Sequence, residues 1–191
     1  MIVLVDRGGA FTNGLYQKLG VLDADVRIVD AAQTDAGALA RLYPTHIVFA
    51  PGSYAEDPAD LCGEIVRQLG PTVPVLGIGP GHLGIVRALG GSVLPLRNPV
   101  IGQASSVGVQ GDDPLFAGLG PTFEVGRYDA LGVDPGSLPD SLVVTARSSD
   151  HVVQAVRHRD WPLHGLAFHP ESVLTPRGGA IVANFVRLAA R

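Results

Sequence analysis

The sequence holds a single cysteine, Cys62, so no disulfide can form within the chain and the fold must rest on burial and hydrogen bonding. Charged residues make up only 17% of the 191 positions, and 46% are hydrophobic, which excludes a disordered polyelectrolyte and supplies a large core. Lys and Arg are scattered, and a net charge of -4 leaves no electrostatic footprint for nucleic acid or an anionic membrane. The apolar runs are short, broken by 25 glycines and 15 prolines, so none reaches the length of a membrane-spanning helix. There is no internal repeat, low-complexity tract or interdomain linker, and residues 1–191 read as one domain. With Ile2-Val3-Leu4-Val5 opening directly on a strand and no basic leader ahead of it, a soluble cytoplasmic protein is expected.

What is present is an alternation. Short β-branched runs, Val26 to Val29 and His46 to Ala50, are interleaved with helix-like stretches, Asp35 to Leu42 and Leu61 to Leu69. That order predicts an α/β fold of the flavodoxin-like kind, a mostly parallel sheet flanked by helices. Val73 to Ile78 reads as the next strand and His82 to Leu89 as the helix after it. Beyond Gly91 the texture changes to separate short strands, among them Ser92 to Leu96, Ser105 to Val109 and Thr122 to Val125, which predict a small antiparallel extension. The helix Gly179 to Leu188 closes the chain. Asp6, Pro51-Gly52-Ser53 and Gly79 fall at the carboxyl edge of the parallel strands, where ligands sit in open α/β sheets.

Two segments carry chemical meaning. Val75-Leu76-Gly77-Ile78-Gly79-Pro80-Gly81-His82-Leu83-Gly84 is a buried strand running into a glycine-rich elbow and a helix, the arrangement that exposes a nucleophile in many α/β enzymes. Far downstream, Phe168-His169-Pro170-Glu171 supplies an imidazole and a carboxylate, a base without an evident nucleophile to activate. Gly79-Pro80-Gly81-His82-Leu83-Gly84 also matches G-x-G-x-x-G. It follows the fourth strand rather than the first and has no acidic residue about 20 positions on, so dinucleotide binding is rejected and no cofactor is expected. His46, His151, His158 and His164 lack metal-ligand spacing, and no metal is expected either.

The chain resembles the class I glutamine amidotransferases, and within them the glutaminase subunit of anthranilate synthase and aminodeoxychorismate synthase. The resemblance runs through Ile2 to Asp6 with Phe11-Thr12, His46 to Gly52, the elbow, Leu115 to Leu119, Arg127-Tyr128 and Phe168 to Thr175. It implies a Cys-His-Glu triad that hydrolyses glutamine and passes ammonia to a synthase partner, with His169 and Glu171 on the base and orienting carboxylate. It puts Gly79 on the nucleophile, and glycine has no side chain with which to attack.

The departures from that family accumulate around the same spot. Pro80 lacks the backbone N–H that would donate to an oxyanion. Leu83 stands where the resemblance implies Gln, Ser53-Tyr54 after Pro51-Gly52 replaces Pro-Gly, and Asp129-Ala130 after Tyr128 replaces His-Ser. Gly9-Ala10 stands in place of a polar Asp-Ser pair before Phe11. Cys62 reads as a small helix residue remote from the elbow. The expectation is a glutaminase-deficient protein acting as a binding or regulatory subunit of a synthase. The alternative is a repurposed enzyme in which His169 and Glu171 perform acid-base chemistry on another small molecule bound near Gly79.

Overall fold

The computed structural model describes residues 1–22, 25–52 and 60–189. Among these residues nine strands form a single mixed sheet in the order β2-β1-β3-β4-β9-β8-β7-β5-β6. The parallel half comprises β1 (Ile2–Asp6), β2 (Val26–Asp30), β3 (His46–Phe49), β4 (Val75–Ile78) and β9 (Leu163–Leu166). β1, β3, β4 and β9 are apolar at nearly every position because helices cover both faces, whereas the edge strand β2 is half exposed.

Alternation along these strands sorts the core into two layers. Leu4, Val48 and Leu76 face α1 (Thr12–Gly20) and α5 (Gly178–Val186), packing with Leu15, Leu19, Ile181 and Phe185. Val3, Val5, Ile47, Phe49 and Val75 face the other way, against Leu39 of α2 (Ala36–Ala40), Ile65 of α3 (Leu61–Gln68) and Ile85 of α4 (Pro80–Ala88). α4 also shields the antiparallel half, where Leu83 and Val86 meet Val133, Val153 and Val156.

The antiparallel part is larger and more continuous than the sequence suggests. β5 runs unbroken over Val93–Val109 and pairs with β6, Thr122–Val133. The expected strand Ser92 to Leu96 is the start of β5, and the ribbon carries Pro95 and Pro99 through register shifts between Pro95 and Val100 and between Ile101 and Gln103. β7 (Leu142–Ser148) and β8 (Val153–His158) carry the sheet back to β9, which is antiparallel to β8 and parallel to β4. Thus the carboxyl ends of β1, β3, β4 and β9 lie side by side. No helix among the described residues is long and apolar enough to cross a membrane.

Candidate functional site

The turn from β4 into α4 is tight. Gly79 adopts φ 55 and ψ -113, a region that side chains other than glycine's enter only with strain. Pro80 takes the first helical position, where its fixed φ suits the helix and its missing N–H costs no intrahelical bond. The Gly79 N–H donates to the Leu166 carbonyl at 2.8 Å, which ties the turn to the end of β9. At Gly77 a Cβ would fall 2.5 Å from the backbone of Gly81, so only glycine there lets α4 start this close to the strand.

Three residues past β9, His169 arrives at the same place. A Cβ built on Gly79 would lie 3.1 Å from His169 Nε2. The opposite ring nitrogen, Nδ1, lies 2.7 Å from Glu171 Oε1, and both side chains are buried. With a carboxylate accepting at Nδ1, the neutral imidazole turns its Nε2 lone pair toward Gly79. Backbone geometry is fixed as firmly as the ring. The His169 N–H donates to Gly126 O, and the buried Thr175 hydroxyl donates to His169 O at 2.6 Å while accepting from Gly126 N at 2.9 Å. Phe11 and Tyr128 pack on the imidazole and on each other, with ring centroids 5.0 and 4.7 Å from it and 5.0 Å apart.

Above this dyad lies a cavity of about 390 Å³. Gly52, Gly79, Pro80, Leu83, Asp129, Ala130 and His169 all line it, so the described residues singled out from the sequence come together except for Glu171, which stands behind the imidazole. Ser53 and Tyr54 lie outside the described residues. Phe11 and Leu131 complete an apolar wall with Gly8, Gly9 and Ala10.

Two carboxylates near the cavity are committed elsewhere. Asp6 Oδ1 accepts from Thr12 Oγ1 at 2.6 Å and from Gly8 N at 3.0 Å, anchoring the loop after β1. Asp129 Oδ2 accepts from Arg127 Nε and Gln154 Nε2, both at 2.9 Å, and its Oδ1 accepts from Tyr128 N. Arg127 is 2% exposed and also reaches the exposed Asp150, so a buried Arg127–Asp129 pair, tied at one end to the surface, underlies the floor. The sequence marks Arg127 and Tyr128 only through the family resemblance and gives no sign of the ion pairs Arg127 makes. The third member of this group, Gln154 of β8, lies 25 positions from Asp129 of β6, on a strand that does not pair with β6 in the sheet.

Cys62 is nearer the elbow than its place in the sequence suggests. Its Sγ lies 4.0 Å from Gly81 O and directly under Gly84, because α3 packs on α4. It is buried in the core layer beneath the helix and is not part of the cavity wall. His82 packs in the interior, fully buried against Gly165 with no well-formed hydrogen bond to either ring nitrogen among the described residues, and burial lowers its pKa to about 4 against the opposing effect of the Gly165 backbone. The described residues contain no cluster of His, Cys, Asp and Glu able to hold a metal ion.

Comparison with known proteins gives the family of the chain as a whole. The pattern of the family described as glutamine amidotransferase class-I matches residues 3–189. Aminodeoxychorismate synthase component 2 of Escherichia coli is 37% identical over 97% of this chain and 99% of its own length. Anthranilate synthase component 2 of Methanothermobacter marburgensis is 33% identical, with 98% of each chain covered. Among solved structures, a Thermoplasma acidophilum protein described as a candidate GMP synthase component superposes with a TM-score of 0.85 at 28% identity, covering 97% of this chain and 91% of that one. The chain belongs to the class I glutamine amidotransferase family.

Proposed function

We propose that this protein is an amidotransferase subunit that has lost glutaminase activity and serves as a non-hydrolytic binding or regulatory component of a chorismate-using or other synthase. The observation that carries the reading is Gly79 facing His169 Nε2, with 3.1 Å between that nitrogen and the place a Cβ would take. The base and its carboxylate are assembled, and the position they address has no sulfur or oxygen to deprotonate. The chain's only cysteine is buried beneath α4. Pro80 removes the amide that would meet a developing oxyanion, so the defect extends beyond one atom. The named relatives are second components of aminodeoxychorismate and anthranilate synthases, which supports a synthase as the partner.

The reading is tested by glutamate release from glutamine, with the chain alone and with candidate synthases. No turnover above the synthase alone is expected, together with a change in the synthase's ammonia-dependent rate when the chain is added. Glutamine hydrolysis that depends on this chain would overturn it.

A second reading rests on the dyad itself. The buried 2.7 Å contact between His169 and Glu171 opens on a largely apolar cavity, an arrangement suited to moving a proton on a small non-glutamine ligand. His169→Ala separates the two. Retained partner effects favour the scaffold, and loss of a ligand-dependent activity with partner binding intact favours catalysis.

A further inference from the structure

A second cavity, of about 260 Å³, opens at the opposite end of the sheet from His169. β8 ends there and β9 begins there, so residues from both strands and from the turn between them converge. Its polar side chains are Arg157, His158, Arg159 and His164, joined by Trp161, and among the described residues no Asp or Glu lines it.

The donors at this site are held in place by backbone contacts. Arg157 donates from Nε to Asp112 O at 3.1 Å and from Nη1 to His158 O at 3.3 Å, and Arg159 donates from Nε to Asp140 O. Each guanidinium is therefore oriented by neutral carbonyls while keeping its charge and further N–H groups. His158 is 6% exposed, and its Nδ1 accepts two backbone N–H groups, from Asp160 at 3.1 Å and Trp161 at 3.0 Å. That double acceptance fixes the tautomer, placing the ring proton on Nε2 as a donor. Trp161 stacks on the same ring, with centroids 4.3 Å apart and planes 10° from parallel. His164 is 4% exposed and turns Nδ1 toward Asp113 Oδ1 at 3.3 Å, which places the neighbouring carboxylate behind the imidazole.

A cavity furnished with two arginines and two histidines, in a chain whose net charge is -4, is poorly suited to a cation or to an apolar guest. We infer that the cavity formed by Arg157, His158, Arg159 and His164 binds a small oxyanion, a carboxylate or a phosphate, with Trp161 forming its aromatic wall. The site is separate from the Gly79 cavity and stands or falls independently of the function proposed above.

Trp161 is the only tryptophan in the chain and reports directly on this site. The intact protein is titrated with inorganic phosphate and, separately, with benzoate, against sodium chloride at matched ionic strength. Trp161 fluorescence and the imidazole NMR resonances of His158 and His164 are followed together. Saturable changes in either readout are expected while the His169 resonances stay unmoved. Loss of one charge-assisted contact in Arg159→Gln should weaken the response about tenfold. Arg157→Gln should weaken it as well, and Arg159→Gln is the milder change because Arg159 is exposed. Saturation by phosphate alone assigns a phosphate ligand, and saturation by benzoate alone assigns a carboxylate. No saturable change with either anion in both readouts, or a response that both arginine variants leave intact, overturns the inference.

Discussion

Replacing Gly79 by cysteine alone should give a reactive thiol but a poor glutaminase. The new Cβ would stand 3.1 Å from His169 Nε2, closer than ordinary van der Waals contact, so the imidazole must retreat by a few tenths of an ångström. That retreat is resisted by Glu171 at 2.7 Å and by the rings of Phe11 and Tyr128. A side chain at φ 55 and ψ -113 adds strain on the order of 1–3 kcal/mol, to be read as a lower denaturation midpoint. The larger deficit lies next door. Without an N–H at residue 80 the oxyanion loses one donor, worth about 100- to 1000-fold in turnover. Gly79→Cys should therefore be alkylated by iodoacetamide at a rate that falls when His169 is also replaced, while its glutamate release stays about 100- to 1000-fold below that of Gly79→Cys with Pro80→Ala. The pair is compared at saturating glutamine by coupled glutamate assay. Equal turnover in the two variants, including none in either, refutes the assignment of the defect to the missing amide.

Other expectations concern stability and positioning. His82 has its pKa lowered to about 4 by burial, below the ordinary 6.5, so the unfolded chain binds the extra proton between these values. Stability should be complete above pH 6.5 and fall by on the order of 3 kcal/mol as pH drops toward 4, a component that His82→Leu removes from urea melts run across that range. Arg127→Met should strand Asp129 in the floor of the cavity and cost about 3–5 kcal/mol in chemical denaturation, with Arg127→Met paired with Asp129→Leu recovering part of the loss. Thr175→Val removes the hydroxyl shared by His169 O and Gly126 N. It should cost about 1–3 kcal/mol and shift the His169 imidazole resonances, whereas Thr175→Ser should retain both bonds.

The parallel half of the fold was legible because its strands are continuous apolar runs and its helices are separated by turn residues. Alternating faces follow from that pattern alone, as the opposed packing of Val3 and Leu4 illustrates. The length of the β5–β6 ribbon was not legible, since Ser92 to Leu96 and Ser105 to Val109 read as separate short strands and only cross-strand pairing, with its shifts in register, joins them. At the candidate site, Gly79 and His169 could be found from the strand-turn-helix pattern and the His-Pro-Glu motif. Their supporting contacts could not. Thr175 reaches Gly126 across 49 positions, and Gln154 reaches Asp129 across 25, distances at which no local periodicity operates. Arg157, His158, Arg159 and His164 lie close in sequence, but only the reversal between β8 and β9 makes them face a common space.

The bond from the Gly79 amide to Leu166 has a further consequence for whatever enters the cavity. Residue 79 has already spent its proton on β9 and residue 80 never had one, so this corner of the wall greets a guest with no backbone donor. Beside it stands His169 Nε2, which accepts in the neutral ring whose Nδ1 proton is held by Glu171. A visitor bearing its own N–H or O–H is suited to that form of the ring, and an anionic oxygen placed here finds no amide at residues 79 and 80 to hold it.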